Sequence, residues 1–132
     1  MRWVCVLLAV LVTGCGAPAA DLFEVTRSGT DANANLKLLV SDDGSVTCNG
    51  TRHEVPGKML LDARELTREM EKQAELNLAL PAGKNALLEY KVRMQAGTVA
   101  FADTSRPLPA SFAQLQVFTK HVSEDICGLK RD

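Results

Sequence analysis

Histidine and glutamate are residue types that often carry acid–base and zinc chemistry, and one adjacent pair of them occurs in the chain. His53-Glu54 begins the pattern H-E-x-x-H, in which two histidines one helical turn apart bind zinc and the glutamate acts as base. The second ligand is missing because Gly57 holds its position, and Pro56 opposes a helix through the motif. The other histidine, His121, falls outside the apolar stripe of a predicted helix, so we expect a surface position for it.

Other patterns for catalysis or ion binding are also incomplete. No serine lies in a G-x-S-x-G setting, and no phosphate-binding glycine loop follows a predicted strand. Asp42-Asp43-Gly44 has too few ligands for a calcium loop. The sequence therefore predicts a protein that is not an enzyme and that has no metal or cofactor. A hydrolase built around His53 or His121 is the least favoured alternative.

A cysteine follows the apolar amino-terminal run MRWVCVLLAVLVTGCGAPAA. About ten apolar residues after one basic residue are typical of a secretory signal, since a transmembrane helix needs about twenty. The segment VTGC at 12–15 resembles the bacterial lipobox, which predicts diacylglycerol on the Cys15 sulfur and cleavage after Gly14. The alternative is cleavage before Ala20, after the A-x-A pattern at 17–19, and it discards Cys15.

We therefore predict three regions: a signal peptide at 1–14, a lipidated tether at 15–21 and one extracytoplasmic domain at 22–132. Lipidation at Cys15 would hold the protein on the cell membrane, facing outside the cytoplasm, because two or three acyl chains give stable anchoring. Removal of Arg2 with the leader takes the basic count from 15 to about 14, against 16 acidic residues. This balance gives no basic face for nucleic acid.

Cys48 and Cys127 are the cysteines that remain in the predicted exported domain. They are 79 positions apart and form no C-x-x-C motif, which argues against a metal or redox pair. Disulfides persist outside the cytoplasm, so we predict that these two residues form one, with two free buried thiols as the alternative. A closed loop of this length would stabilise the fold by about 4 kcal/mol.

The periodicity of apolar residues predicts the elements that must position these groups. Alternation indicates strands, and apolar residues at spacings of three and four from Lys58 to about residue 76 indicate a helix with a solvated charged face. A second, proline-led helix follows Pro109, with an apolar stripe that ends at Ile126 and a cap at Gly128. The predicted strands are 22–27, 36–41, 45–48, 51–55, 88–94 and a returning strand marked by Val99 and Phe101.

The order ββββ-α-ββ-α, with short turns between early strands, predicts an α+β fold. Asn49-Gly50 fits a tight hairpin turn between the third and fourth strands. We expect an antiparallel sheet of four to six strands with both helices packed on one face. The disulfide would then join the end of the last helix to the third strand.

The segment YKVRMQAGTVAFADTSRPLPASFAQLQVFTKHV and the earlier FEVTRSG resemble the emfourin family in their order of elements. The resemblance implies a small bacterial protein that inhibits thermolysin-like metalloproteases. The Gly-Gly-Phe loop of that family is absent, since Gly29 is followed by Thr30 and Asp31, so no inhibitory residue is transferred. The whole chain also resembles small lipoproteins of high-GC Gram-positive bacteria, a likeness that implies no activity.

These observations favour a lipid-anchored binding or interaction domain without catalytic activity. The alternative function is a protease inhibitor at the cell surface, with the loop between Gly29 and Asn35 presenting an extended segment to a protease cleft. The expected partners are the membrane, through the lipid anchor, and a secreted protease or another surface protein.

Overall fold

The computed structural model describes residues 20–131. The predicted signal peptide at 1–14, the lipidation at Cys15 and most of the tether at 15–21 lie outside the described residues. The first strand begins at Asp21, so folded structure starts at the last residue of the segment predicted as tether. Within residues 20–131, no helix is both long enough and apolar enough to cross a membrane.

Six antiparallel strands form one sheet with the spatial order β4-β3-β2-β1-β5-β6. This arrangement and the two long helices confirm the predicted α+β class and the order ββββ-α-ββ-α. β1 and β5 are the only neighbouring strands of this sheet that do not follow one another in the chain, and the first helix lies in the connection from β4 to β5. The strands are β1 Asp21–Gly29, β2 Leu36–Ser41, β3 Ser45–Cys48, β4 Thr51–Glu54, β5 Leu88–Met94 and β6 Gly97–Ala102.

Strict alternation of buried and exposed residues along the strands decides which face of the sheet the helices cover. In β5 every second residue from Leu88 to Met94 is buried, whereas Glu89, Lys91 and Arg93 are exposed on the other face. The buried residues of neighbouring strands lie opposite one another, so an apolar face and a polar face extend across the sheet. The apolar face packs against the helices, and the polar face is left open.

The hairpin between β3 and β4 forms as its sequence predicts. Asn49 and Gly50 both have positive φ, 47° and 91°, as a two-residue turn that follows the twist of the strands requires. The Asn49 side chain also accepts a hydrogen bond of 2.8 Å from the backbone N–H of Lys37. The turn therefore fixes the register of β3 on β4 and is tied to β2.

Helix α1 spans Gly57–Glu75 and buries one apolar stripe, formed by Ala63, Leu66, Met70 and Ala74. Pro56 precedes it, where the fixed φ of proline suits a helix start. Arg64 near the middle of α1 donates to Asp42, in the turn between β2 and β3, at 2.6 Å. The end of α1 lies against the β5–β6 turn, so α1 crosses the sheet near one end of its strands.

Helix α2 spans Ala110–His121 and continues as a π-helix over Val122–Ile126. The continuous α-helix expected to reach Ile126 is therefore wrong for its last turn. The N–H of Cys127 donates to the carbonyl of Val122, five residues back, at 3.0 Å, which is the wider π spacing. Gly128 follows with φ of 70°, in the left-handed region that glycine adopts freely.

The outer edge of β6 is partly covered by the chain that follows α1. The N–H of Leu80 donates to the carbonyl of Ala100 at 2.8 Å, and the N–H of Ala100 donates to the carbonyl of Leu78 at 3.0 Å. This short parallel contact reduces the exposed hydrogen-bonding edge, which is a common way to limit edge-to-edge association. The sequence predicts only a fading helix in this segment.

Candidate binding groove

A groove of about 740 Å³ separates the first half of α1 from the second half of α2. The two helices contact each other along part of their length, and Lys58 of α1 and His121 of α2 both line the groove. Residues from both helices and the preceding proline line it: Pro56, Lys58, Met59, Asp62, Glu65, Leu66, Ala113, Gln114, Val117, Phe118 and His121.

The inner surface of the groove is apolar and packs against the core of the domain. Leu66 belongs to the buried stripe of α1, Met59 is a partly buried residue of the same helix, and Phe118 comes from α2. The ring of Phe118 packs edge to face on Phe23 of β1, with 5.9 Å between ring centroids. Val117 also lines the groove and is 56% exposed. The geometry suits contact with an apolar group from outside.

The rim of the groove carries more negative than positive charge. Lys58 lies 3.3 Å from the carboxylate of Asp62, one helical turn away on α1. Glu65 lines the same wall, and among residues 20–131 no lysine, arginine or histidine lies within 4.0 Å of its carboxylate. On α2, the Nδ1 atom of His121 lies 3.4 Å from Asp125. An isolated exposed pair contributes at most about 1 kcal/mol, so the pairs on this rim can rearrange.

Among the described residues, no pair of a histidine and a nucleophile lines the groove. His121 is its only histidine, and the partner of this histidine is an exposed carboxylate rather than a serine, threonine or cysteine nucleophile. His53 lies on β4, opposite Val46 of β3, and does not line the groove. Over the described range, no group of three or more histidine, cysteine or acidic residues is placed to hold a metal ion. The arrangement can bind, and we derive no reaction from it.

The acidic turn at Asp42-Asp43-Gly44 has a structural role. The Asp43 carboxylate accepts hydrogen bonds from the backbone N–H and the hydroxyl of Ser45, at 2.9 and 2.6 Å. The Ser45 hydroxyl bond, followed by the backbone bond, lowers the pKa of Asp43 below its ordinary 3.8. Asp42 pairs with Arg64. Both carboxylates therefore hold the β2–β3 turn and α1 in place.

A buried arginine organises the opposite end of the sheet. Arg27 of β1 is 2% exposed and lies on the apolar face, in phase with Phe23 and Val25. Burial lowers the pKa of Arg27, and the same cause raises the pKa of the neighbouring Tyr90 phenol above 10.0. The alternation of β1 already predicts the inward position of Arg27, whereas its hydrogen-bond partners depend on the loop that follows.

The loop after β1 is a compact turn rather than an extended segment. Arg27 donates to the carbonyls of Ala34 and Asn33, both at 2.9 Å. Asn33 has φ of 59°, and its side chain donates to the carbonyl of Lys130 near the end of the chain, at 2.7 Å. Because these contacts hold the loop from both sides, its geometry gives no support to an extended inhibitory segment.

Cys48 and Cys127 lie at disulfide-bonding distance, with their Cα atoms 6.1 Å apart. Cys48 is the last residue of β3, and Cys127 directly follows the π-helix. The cysteine pairing predicted from the sequence is therefore present, and it joins the third strand to the end of the helical segment. No free thiol remains among the described residues for nucleophilic or metal chemistry.

The fold is a two-layer α+β domain with an open groove between its two helices. No protein-family model, no curated protein and no solved structure matches the chain. The sequence places Met59, Leu66 and Phe118 on apolar stripes. It does not indicate that a groove separates parts of α1 and α2 or that Val117 stays exposed, because both facts depend on how the helices pack on the sheet.

Proposed function

We propose that the protein is a lipid-anchored, extracytoplasmic binding domain without catalytic activity. The observation that carries the proposal is the interhelical groove, with an apolar inner surface formed by Met59, Leu66 and Phe118 and the exposed Val117 beside it. A concave apolar surface bordered by a few polar groups is the usual form of a binding site. Burial of Val117 and its neighbours by a partner would supply the driving force, at about 25 cal/mol for each Å² removed from water.

The sequence supports the anchor and the compartment. The VTGC segment at 12–15 has the order of residue types found in a lipobox, and Cys15 is its acyl-acceptor position. The pairing of Cys48 with Cys127 fits an oxidising environment outside the cytoplasm. The anchor would concentrate the domain at the membrane surface, where a moderate affinity of the groove is sufficient for partner capture.

The anchor is tested by replacing Cys15 with serine. The variant should leave the membrane fraction or accumulate as an unprocessed precursor, because serine offers no thiol for diacylglycerol transfer. Migration and fractionation like those of the wild type would contradict lipidation. Cleavage before Ala20, the alternative processing site, would give a mature mass that lacks Cys15 altogether.

The binding function is tested by photo-crosslinking in intact cells. A photoreactive amino acid at position 117 should form adducts with one defined partner, whereas the same group at Leu87 should not. Leu87 is a matched control because it is 58% exposed, close to the 56% of Val117, and it does not line the groove. Equal adduct patterns at the two positions, or none at position 117, would contradict a binding role for the groove.

Metalloprotease inhibition remains the second proposal, and its support is the emfourin-like order of elements. Incubation of the purified protein with a panel of secreted metalloproteases separates it from the first proposal. An inhibitor should reduce proteolysis at micromolar concentration. Unchanged proteolysis across the panel would leave the binding domain as the remaining proposal.

A further inference from the structure

We infer that the protein associates with a second copy of itself through β4, so that two sheets join edge to edge. The contact pairs β4 antiparallel with β4 of the other copy, with His53 at the two-fold axis. Self-association is a property of the domain beyond the proposed function. It also uses a different surface, since none of the residues of β4 lines the groove.

The outer edge of β4 is open among the described residues. β4 lies at one end of the strand order, and β3 is the strand with which it pairs. At the other end of the sheet, the outer edge of β6 is partly covered by the contacts of Leu78 and Leu80 with Ala100. An open strand edge offers backbone donors and acceptors to another strand. The sheet can therefore be extended at β4.

Alternation along β4 decides which of its backbone groups face outward. The N–H of Val55, the residue after β4, donates to the carbonyl of Gly44 at 3.0 Å, on the side of β3. Successive residues of a strand direct their backbone groups to opposite edges, so His53 also bonds toward β3. The backbone groups of Arg52 and Glu54 therefore point outward, where another strand can bind them.

One antiparallel register uses both outward residues. A hydrogen-bonded pair between two copies joins residues that both face outward, so Arg52 and Glu54 can meet each other or themselves. A register with Arg52 on Arg52, or Glu54 on Glu54, forms one such pair and sets like charges opposite each other, which is destabilising. The register centred on His53 forms two pairs of Arg52 with Glu54, and each pair exchanges two backbone hydrogen bonds.

The side chains form an alternating set of charges in that register. The guanidinium of Arg52 lies 3.1 Å from the carboxylate of Glu54 and 3.5 Å from that of Asp43, and the side chains of Arg52 and Glu54 are 62% and 71% exposed. In the paired copies each Arg52 keeps these contacts and gains Glu54 of the other copy. Charges on an edge strand usually oppose pairing, but the two charges of β4 are complementary to a second β4.

A two-fold axis through His53 also suits two copies held on one membrane. Rotation about an axis perpendicular to the sheet leaves the start of β1 at the same height in both copies, so both tethers can reach the same surface. Confinement to a surface raises the effective concentration of the copies, which favours a contact as short as the four residues of β4. This advantage depends on the proposed anchor, whereas the strand pairing does not.

The test traps the pair with a disulfide at the axis. In the full chain expressed in its host, His53→Cys sets two thiols opposite each other at a non-hydrogen-bonded position, where Cα atoms lie about 4.5 Å apart and a disulfide can form. Diamide added to intact cells accepts the two electrons and two protons of these thiols. Leu87→Cys is the collision control, because Leu87 is 58% exposed and lies outside β4.

The disulfide-linked dimer should form at least about tenfold more from position 53 than from position 87, because paired copies hold the two thiols at a high effective concentration. Equal yields at the two positions would overturn the inference. A disulfide between position 53 and a different protein, in place of the dimer, would overturn it as well.

Charge variants made on the His53→Cys chain test the register. Arg52→Glu and Glu54→Arg each set like charges opposite each other, so each should reduce the trapped dimer about tenfold. The double exchange Arg52→Glu/Glu54→Arg restores opposite charges across the axis and should recover most of the dimer. Arg93→Glu is the matched control, since Arg93 is 69% exposed on β5 and should not affect the yield. No loss in the single variants, or no recovery in the double exchange, would contradict the pairing.

Failure of this inference is distinguishable from failure of the proposed function. Val117→Asp alters the groove and should leave the dimer trapped at position 53 unchanged. Loss of crosslinks from position 117 with an intact dimer would contradict the binding role of the groove alone. A dimer that Val117→Asp abolishes would place self-association at the groove and overturn the pairing of β4.

Discussion

At the scale of single residues, the most constrained side chain is a buried cation without a carboxylate partner within 4.0 Å among residues 20–131. Arg27 uses its guanidinium to bind two backbone carbonyls, those of Asn33 and Ala34, which end the β1–β2 loop. Buried carbonyls need donors, and a charged donor gives stronger hydrogen bonds than a neutral one. The stability of the loop therefore depends on one side chain of β1.

Arg27→Met should lower the free energy of unfolding by about 2–4 kcal/mol, because one buried and one part-buried carbonyl lose charge-assisted hydrogen bonds while a similar volume is kept. Arg93→Met is the matched control, since Arg93 is 69% exposed and only pairs with Glu24 at 3.4 Å. The control should cost less than about 1 kcal/mol. Urea unfolding of both variants decides the matter, and equal midpoints would show that the buried position confers no special role.

At the scale of elements, α1 packs on the β5–β6 turn through a glycine. Gly97 has φ of 149°, and a Cβ built on it would overlap the carbonyl oxygen of Ala74 near the end of α1. The helix and the turn can approach this closely only because no side chain lies between them. The requirement for glycine at this position is therefore steric as well as conformational.

Gly97→Ala should destabilise the protein by more than about 1 kcal/mol, because both the backbone angle and the contact with Ala74 oppose a side chain. Gly57→Ala is the matched substitution at the start of α1, where φ is not positive and nothing lies within 4 Å of the added Cβ. That change should be neutral or stabilising by up to about 1 kcal/mol. Thermal unfolding should therefore show a lower midpoint for Gly97→Ala alone, and an equal loss in both variants would contradict the role assigned to Gly97.

The sequence predicts most elements because their signals are local. Strands β3 and β5 match their predicted bounds, and α1 begins within one residue of its predicted start, since alternation, proline and glycine act at short range. The π-helix at Val122–Ile126 was not predicted, because apolar spacing alone does not distinguish π from α geometry. The contact of Leu80 with β6 was also missed, because its hydrogen bonds join segments that the sequence pattern leaves unrelated.

At the scale of the whole molecule, the candidate site arises from the arrangement of layers. The sheet presents one apolar face, and α1 and α2 both lie on it with the groove between them. The sequence is enough to assign the lining residues to the two helices. The groove cannot be predicted from the sequence alone, because it depends on how those helices pack on the sheet. The pairing of Cys48 with Cys127 was predictable because these are the two cysteines that remain in the domain predicted to be exported. The effect of this bond on the whole domain depends on the positions of Cys48 and Cys127 in the fold.

The last prediction concerns that bond, which closes most of the domain into one loop. Cys48→Ala should lower the free energy of unfolding by about 4 kcal/mol, because the link spans 79 residues and limits the unfolded chain. Amide exchange should accelerate first over the π-helix and residues 127–131, since chain ends held by few contacts fray readily. The π-helix also borders α2, so its release should loosen the wall that carries Val117 and weaken capture of the partner. The double variant Cys48→Ala/Cys127→Ala is the control for the free thiol that the single variant exposes.

Thiol titration of the denatured, unreduced protein should find neither cysteine reactive. Two reactive thiols, or unchanged stability of both variants, would show that the bond does not hold the last helix to the sheet.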